Sequence, residues 1–132
     1  MQMTIGKLAA AGDVGVETIR YYQRRGLMGT PARSGDGWGG GIRRYDENDL
    51  SRLKFIRAAQ AAGFTLDEIG ELLALDQSDD RARVRALARQ RIDALDAKIA
   101  QMTATRGALA RLADQCAASE TGPCPIMAAF EP

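Results

Sequence analysis

The stretch from Asp79 to Gln115 contains no proline and a single glycine, Gly107. Its apolar side chains fall at Val84, Ala88, Ile92, Leu95, Ile99, Met102 and Leu109. Spacing by threes and fours predicts one helix with a narrow apolar seam. About 37 residues at 1.5 Å each make a rod of roughly 55 Å. Such a rod, apolar on one stripe and charged elsewhere, cannot bury its seam against a small domain, so the pattern predicts pairing with a second copy of itself. Arg106 interrupts the seam where the next apolar residue is due. The alternative is a core helix in a monomeric bundle.

At 132 residues the chain is expected to form one domain, and 45% hydrophobic with 27% charged residues is ordinary for a soluble protein. Only 5% of it is aromatic, so the core must be aliphatic and alanine-rich, which favours helices. The net charge of +1 hides a division: residues 1–57 hold ten Lys and Arg against six Asp and Glu, whereas residues 58–132 hold eight against eleven. The basic half suits a polyanionic partner. Neither a leader-like start nor an apolar run of about eighteen residues occurs, so a cytoplasmic protein without membrane contact is expected. In that compartment the two thiols, Cys116 and Cys124, stay reduced more often than they form a structural disulfide. Histidine is absent, and with it the commonest general base and metal ligand. No phosphate-binding loop or carboxylate pair appears either, which speaks against an enzyme.

Thr4 is placed to cap a short helix over Ile5 to Ala11, and a turn at Gly12 and Asp13 leads to a second helix from Val16 to about Arg25, stopped by Gly26. Two short helices across a tight turn predict a helix-turn-helix whose second helix presents Glu17, Thr18, Arg20 and either Tyr21 or Tyr22 outward. Such a helix fits a DNA major groove, with Arg20 and Tyr22 suited to phosphates. From Leu27 to Tyr45, Pro31, six glycines and the single tryptophan, Trp38, exclude a continuous helix. A hairpin is expected, with one strand near Met28 to Ala32, a flexible tip, and a return strand at Ile42 to Tyr45. Arg33, Arg43, Arg44 and Tyr45 on that hairpin make it a wing able to grip phosphates beside the groove. The bland alternative is a glycine loop with incidental charge.

Asp46 should cap a third helix, with Leu50, Leu53, Ile56, Ala59 and Ala62 on one face up to Gly63. Thr65 and Glu68 form a capping box for a fourth, whose buried side is Ile69, Leu72, Leu73 and Leu75. These two helices read as a connector between head and rod.

The succession MTIGKLAAAGDVGVETIRYYQRRGLM, a glycine-bearing wing ending IRRY, and GFTLDEIGELL resembles the MerR family of transcriptional regulators over nearly the whole chain. The blocks Val16 to Gly26 and Gly63 to Leu73 carry the resemblance most specifically. It implies a mainly α homodimer with a winged helix-turn-helix head at 1–45, connector helices at 46–76, an antiparallel coiled-coil dimerisation helix at 77–115, and a metal-sensing loop with a short C-terminal helix at 116–132. It further implies double-stranded promoter DNA and RNA polymerase as partners, and activation by distorting a promoter with an overlong spacer. The wing is several residues longer than is usual in the family, around Gly37 to Gly41.

The C-terminal CAASETGPCPIM holds both cysteines, with Gly122 and Pro123 between them to fold a loop that brings Cys116 and Cys124 together. Thiolates select soft ions. Two sulfurs without histidine suit linear coordination of Cu(I), Ag(I), Au(I) or Hg(II), whereas tetrahedral zinc needs four ligands. Pro125 starts a last helix, Ile126 to Phe130, whose N-terminal amides would favour a Cys124 thiolate. Loops of this form are similar to those of the metal-sensing branch of the family, above all its copper-responsive members. In branches binding divalent ions, the resemblance implies a third cysteine where this chain has Arg81; Arg85 stands where copper sensors carry a lysine. Two thiolates around a monovalent ion carry −1, and a buried −1 needs a positive partner. Arg81 and Arg85 are the expected compensating charges, with Cu(I) the expected ion and Hg(II) the alternative. A thiol-based redox or electrophile sensor on the same frame is the competing reading.

Overall fold

The computed structural model describes residues 2–34 and 42–132. The tip of the wing, including Trp38 and Gly37 to Gly41, lies outside the described residues. Among the described residues, six helices and one two-stranded ladder follow in the order α1 (Ile5–Ala11), α2 (Val16–Arg24), β1 (Arg33–Ser34), β2 (Ile42–Arg43), α3 (Glu47–Ala61), α4 (Leu66–Leu75), α5 (Arg81–Ala118) and α6 (Pro125–Ala129).

Local chemistry accounts for most of the boundaries. Thr4 accepts the Lys7 amide at the start of α1. Asp46 and Asp49 make a reciprocal capping box on α3, as Thr65 and Glu68 do on α4, each satisfying two amides that a helix start leaves without partners. The chain leaves α2 through Gly26, whose φ of +74° is the left-handed turn that glycine adopts without a Cβ clash.

The described chain divides into two units, Met1–Leu87 and Ala88–Pro132. In the first, one aliphatic core joins Leu8, Ile19, Leu27 and Met28 to Leu53, Ile56, Ala59 and Ile69, so head and connector share their interior. Tyr22 (2% exposed) and Tyr45 (1%) lie in this core. That corrects their assignment to a DNA-facing surface: the Tyr22 hydroxyl donates to Gln60 on α3, and the Tyr45 hydroxyl accepts from Gln23 at 2.9 Å. Leu72, Leu73 and Leu75 are only half-buried and Ala62 is exposed, so the connector is less sealed within one chain than its pattern suggests.

The wing strands also differ from expectation. The first is Arg33–Ser34 and not Met28 to Ala32, because Met28 is drawn into the core instead. The second ends at Arg43, and Tyr45 pairs with Met3 through amide–carbonyl bonds of 2.7 and 2.8 Å. This bridge ties the N-terminus to the base of the wing.

The second unit contains most of α5, the loop after it, and α6. Along α5 the seam residues stay in solvent: Ile92, Leu95, Ile99 (61%), Met102 (63%) and Leu109 are all exposed. Among the described residues no helix is long and apolar enough to cross a membrane.

Candidate DNA-binding surface and thiol site

A helix-turn-helix reads DNA only if its second helix projects, and α2 does so because Ile19 and Tyr22 hold its opposite side in the core. Glu17, Arg20 and Tyr21 are exposed and Thr18 is half-buried. Glu17 steadies Arg20 at 3.2 Å. Tyr21, not Tyr22, is therefore the outward tyrosine, and its ring lies beneath the guanidinium groups of Arg24 and Arg25 at 5.8 and 5.9 Å.

Between α2 and the wing lies a cavity of about 630 Å³ lined by Thr4, Arg20, Gln23, Arg24, Arg33 and Arg43, among others. Arg33 and Arg43 face each other directly across the ladder, a like-charge pairing that costs stability unless an anion lies against it. Arg43 Nε is also buried without a hydrogen-bond partner among the described residues. Four convergent cations and an unsatisfied donor form a surface suited to phosphate. Arg20, Arg33 and Arg43 were legible as candidates in the sequence. Arg24 was missed: as the last residue of α2 it is one of two consecutive arginines, Arg24 and Arg25, and only the placement of the wing selects it. Arg44 is exposed but is not among the residues lining the cavity.

In the second unit, α5 carries Cys116 to within one turn of its end. The loop returns through Gly122 at φ +88°, a conformation that favours glycine, and Cys124 caps α6 with Pro125 as the first helical residue. The two sulfurs lie 3.7 Å apart and both cysteines are free and half-buried. The Met127 amide, the Cys116 thiol and the Ile126 amide together hold the Cys124 thiol below its ordinary range. Cys116, hydrogen-bonded to Cys124, is pushed up. The first proton to leave is thus that of Cys124, at the head of α6, as expected from the position of its amides.

Their spacing tests the donor set. Taking the zinc–thiolate length of about 2.3 Å as a guide, an ion shared by sulfurs 3.7 Å apart sees them at a roughly tetrahedral angle and requires further ligands. No cluster of three or more His, Cys, Asp or Glu able to hold a metal occurs among the described residues. A linear arrangement needs sulfurs roughly 4.6 Å apart at the same bond length. The thiols are already gathered, so two-coordinate binding widens the pair by about 0.9 Å rather than drawing distant cysteines together. Arg81 and Arg85 are both exposed at the start of α5 and lie in the first unit, apart from the thiols in chain order.

A basic hollow beside a projecting helix, on a winged helix-turn-helix followed by one long helix, defines a DNA-binding regulatory protein. Residues 3–76 match the family model described as MerR HTH family regulatory protein, and residues 50–112 match that described as MerR, DNA binding. The chain belongs to the MerR family of transcriptional regulators. It is 40% identical to the mercuric resistance operon regulatory protein of Shigella flexneri over 98% of this chain and 88% of that one. To the HTH-type transcriptional regulator ZntR of Escherichia coli K12 it is 36% identical over 96% and 91%. Among solved structures it is similar to a transcription regulator from Ralstonia metallidurans in complex with lead(II), with a TM-score of 0.74, 35% identity, and 98% and 99% of the two chains covered.

Proposed function

We propose that this protein is a soft-metal-responsive regulator that grips promoter DNA as a homodimer and activates transcription by distorting the promoter when Cys116 and Cys124 hold the ion. The observation that carries the reading is the pair of half-buried thiols 3.7 Å apart, with the Cys124 proton already loosened by the amides of α6. Relatives named for mercuric resistance and for a lead(II) complex support a soft ion. The donor set favours a two-coordinate monovalent ion, Cu(I) with Ag(I) and Au(I), over ions needing three or four ligands; Hg(II), which also accepts two thiolates, is the alternative.

The exposed seam of α5 supports pairing with a second copy. An antiparallel arrangement that matches the seam to itself sets Ile92 against the partner's Met102 and Leu95 against the partner's Ile99. Arg106 then faces the partner's Ala88, whose small side chain leaves room for it. In that register Cys116 falls level with position 78 of the partner, three residues ahead of the start of its α5. Arg81 and Arg85 there offset the −1 charge of two thiolates around a monovalent ion. Widening the thiol pair shifts α6 and the loop, and the two heads move against each other while staying on their half-sites, so that the DNA between them is bent and untwisted.

Competitive titration of the reduced protein with Cu(I), Ag(I), Hg(II) and Zn(II), read by native mass spectrometry, tests this directly. One monovalent ion per thiol pair, lost in Cys116→Ser and Cys124→Ser proteins that still bind operator DNA, is expected. A monomer, or a dimer indifferent to every thiophilic ion, overturns the reading; Hg(II) outcompeting Cu(I) shifts it to the alternative.

A further inference from the structure

We infer that the Cys116–Cys124 pair is also a reversible peroxide-sensitive switch, and that its disulfide silences the metal response instead of imitating it. The silencing rests on the proposed metal reading, whereas formation of the disulfide stands on the geometry of the two sulfurs. Non-bonded sulfurs 3.7 Å apart need to approach by roughly 1.7 Å to reach the 2.03–2.05 Å of a disulfide. The segment that must yield is short and loosely held. Between the cysteines the chain is exposed throughout, and its internal hydrogen bonds are local ones, from Ser119 Oγ to the Thr121 carbonyl at 2.9 Å and from the Ser119 amide to the Cys116 carbonyl at 3.4 Å. Gly122 supplies the bend that lets the two ends meet. Both cysteines are partly exposed, open to a small oxidant.

The chemistry needs only hydrogen peroxide. One thiolate sulfur attacks a peroxide oxygen, the O–O bond breaks, and a sulfenic acid forms with release of hydroxide. The second thiolate attacks that sulfur; the S–S bond forms, the S–O bond breaks, and hydroxide leaves to be protonated to water. Two thiols are oxidised by two electrons, one peroxide is reduced to two waters, and a cellular dithiol restores the reduced pair by exchange.

The two inputs displace the same sulfurs in opposite directions. A linear ion spreads them by about 0.9 Å from their resting spacing, whereas oxidation draws them together and removes both donors. Oxidation therefore leaves the loop on the contracted side, away from the induced arrangement.

The test treats the reduced full-length protein with hydrogen peroxide, then counts free thiols and maps the linked peptides by mass spectrometry. In parallel, Cu(I) and Hg(II) stoichiometry and transcription in vitro are measured on operator DNA. The expected result is a fall from two free thiols per chain to none, a Cys116–Cys124 crosslink within one chain, loss of ion binding, no induction by either ion, and recovery of all four on adding dithiothreitol. Cys116→Ser and Cys124→Ser proteins should form no such intrachain link. Persistence of both thiols, a crosslink between chains only, or an oxidised protein that activates transcription without metal would each overturn the inference. Failure of the reduced protein to bind any ion, with the disulfide still forming, would instead overturn the metal reading.

Discussion

Asp67 and Glu71 stand one turn apart on α4, and each holds an arginine from a different helix: Asp67 accepts from Arg25 at the end of α2 at 3.1 Å, and Glu71 accepts from Arg83 at the start of α5 at 2.5 Å. Arg25 also donates to the Tyr21 hydroxyl at 3.0 Å, so the pairs run from α2 through α4 to the start of α5. Exposed ion pairs contribute at most about 1 kcal/mol, too little to carry the fold. Their placement bears on coupling instead. Glu71→Gln is expected to leave the denaturation midpoint nearly unchanged and to lower the induction ratio in vitro, with the charge-swapped Glu71→Arg, Arg83→Glu protein regaining it. Equal induction in the single variant and the parent would remove the pair from the coupling path.

Arg24 offers a second prediction. It lines the basic cavity beside Arg20, Arg33 and Arg43. Arg24→Ala should weaken operator and non-operator DNA alike and reduce the slope of log K against log salt by about one, the signature of one lost phosphate contact. A change confined to one base position would mean that Arg24 reads sequence.

At Gly12, packing excludes a side chain. A Cβ there would lie 2.3 Å from Cδ2 and 3.0 Å from Cγ of Leu53, which is fully buried. Gly12→Ala is expected to destabilise the protein by about 1–3 kcal/mol through overpacking. Urea denaturation measures the loss, and adding Leu53→Val should recover part of it.

The thiol pair gives a pH dependence with a definite sign. Cys124 is lowered and Cys116 raised relative to an ordinary thiol, so the reduced protein passes through a single-thiolate form as pH rises. Binding an ion to two thiolates expels whatever protons remain. Two protons per ion should be released below the Cys124 transition, one between the two transitions, and none above the Cys116 transition. Apparent affinity therefore climbs with pH and then levels. For stability, the depressed Cys124 value contributes above its unfolded pKa, and this contribution is lost as pH falls through the folded one. Calorimetry in buffers of different ionisation enthalpy counts the protons, and release that does not vary with pH would contradict the ordering.

Much of this protein is written locally. Caps at Thr4, Asp46 and Thr65, the stop at Gly26 and the proline opening α6 are each decided by hydrogen bonds and dihedral limits within four residues, so α1, α3, α4 and α5 lie within a few residues of where the sequence alone puts them. The cysteines, too, are close in sequence, and a turn with glycine is enough to bring them together. Only tertiary packing decided which neighbour of a pair faces which way. Tyr21 and Tyr22 are adjacent and alike in type, yet Tyr22 lies in the core with its hydroxyl donating to Gln60 on α3, while Tyr21 stays outside. Met28 lies in the core and not on the expected strand, β1 begins at Arg33, and Arg24 lines the basic hollow with Arg33 and Arg43. Such choices depend on surfaces that meet from distant parts of the chain.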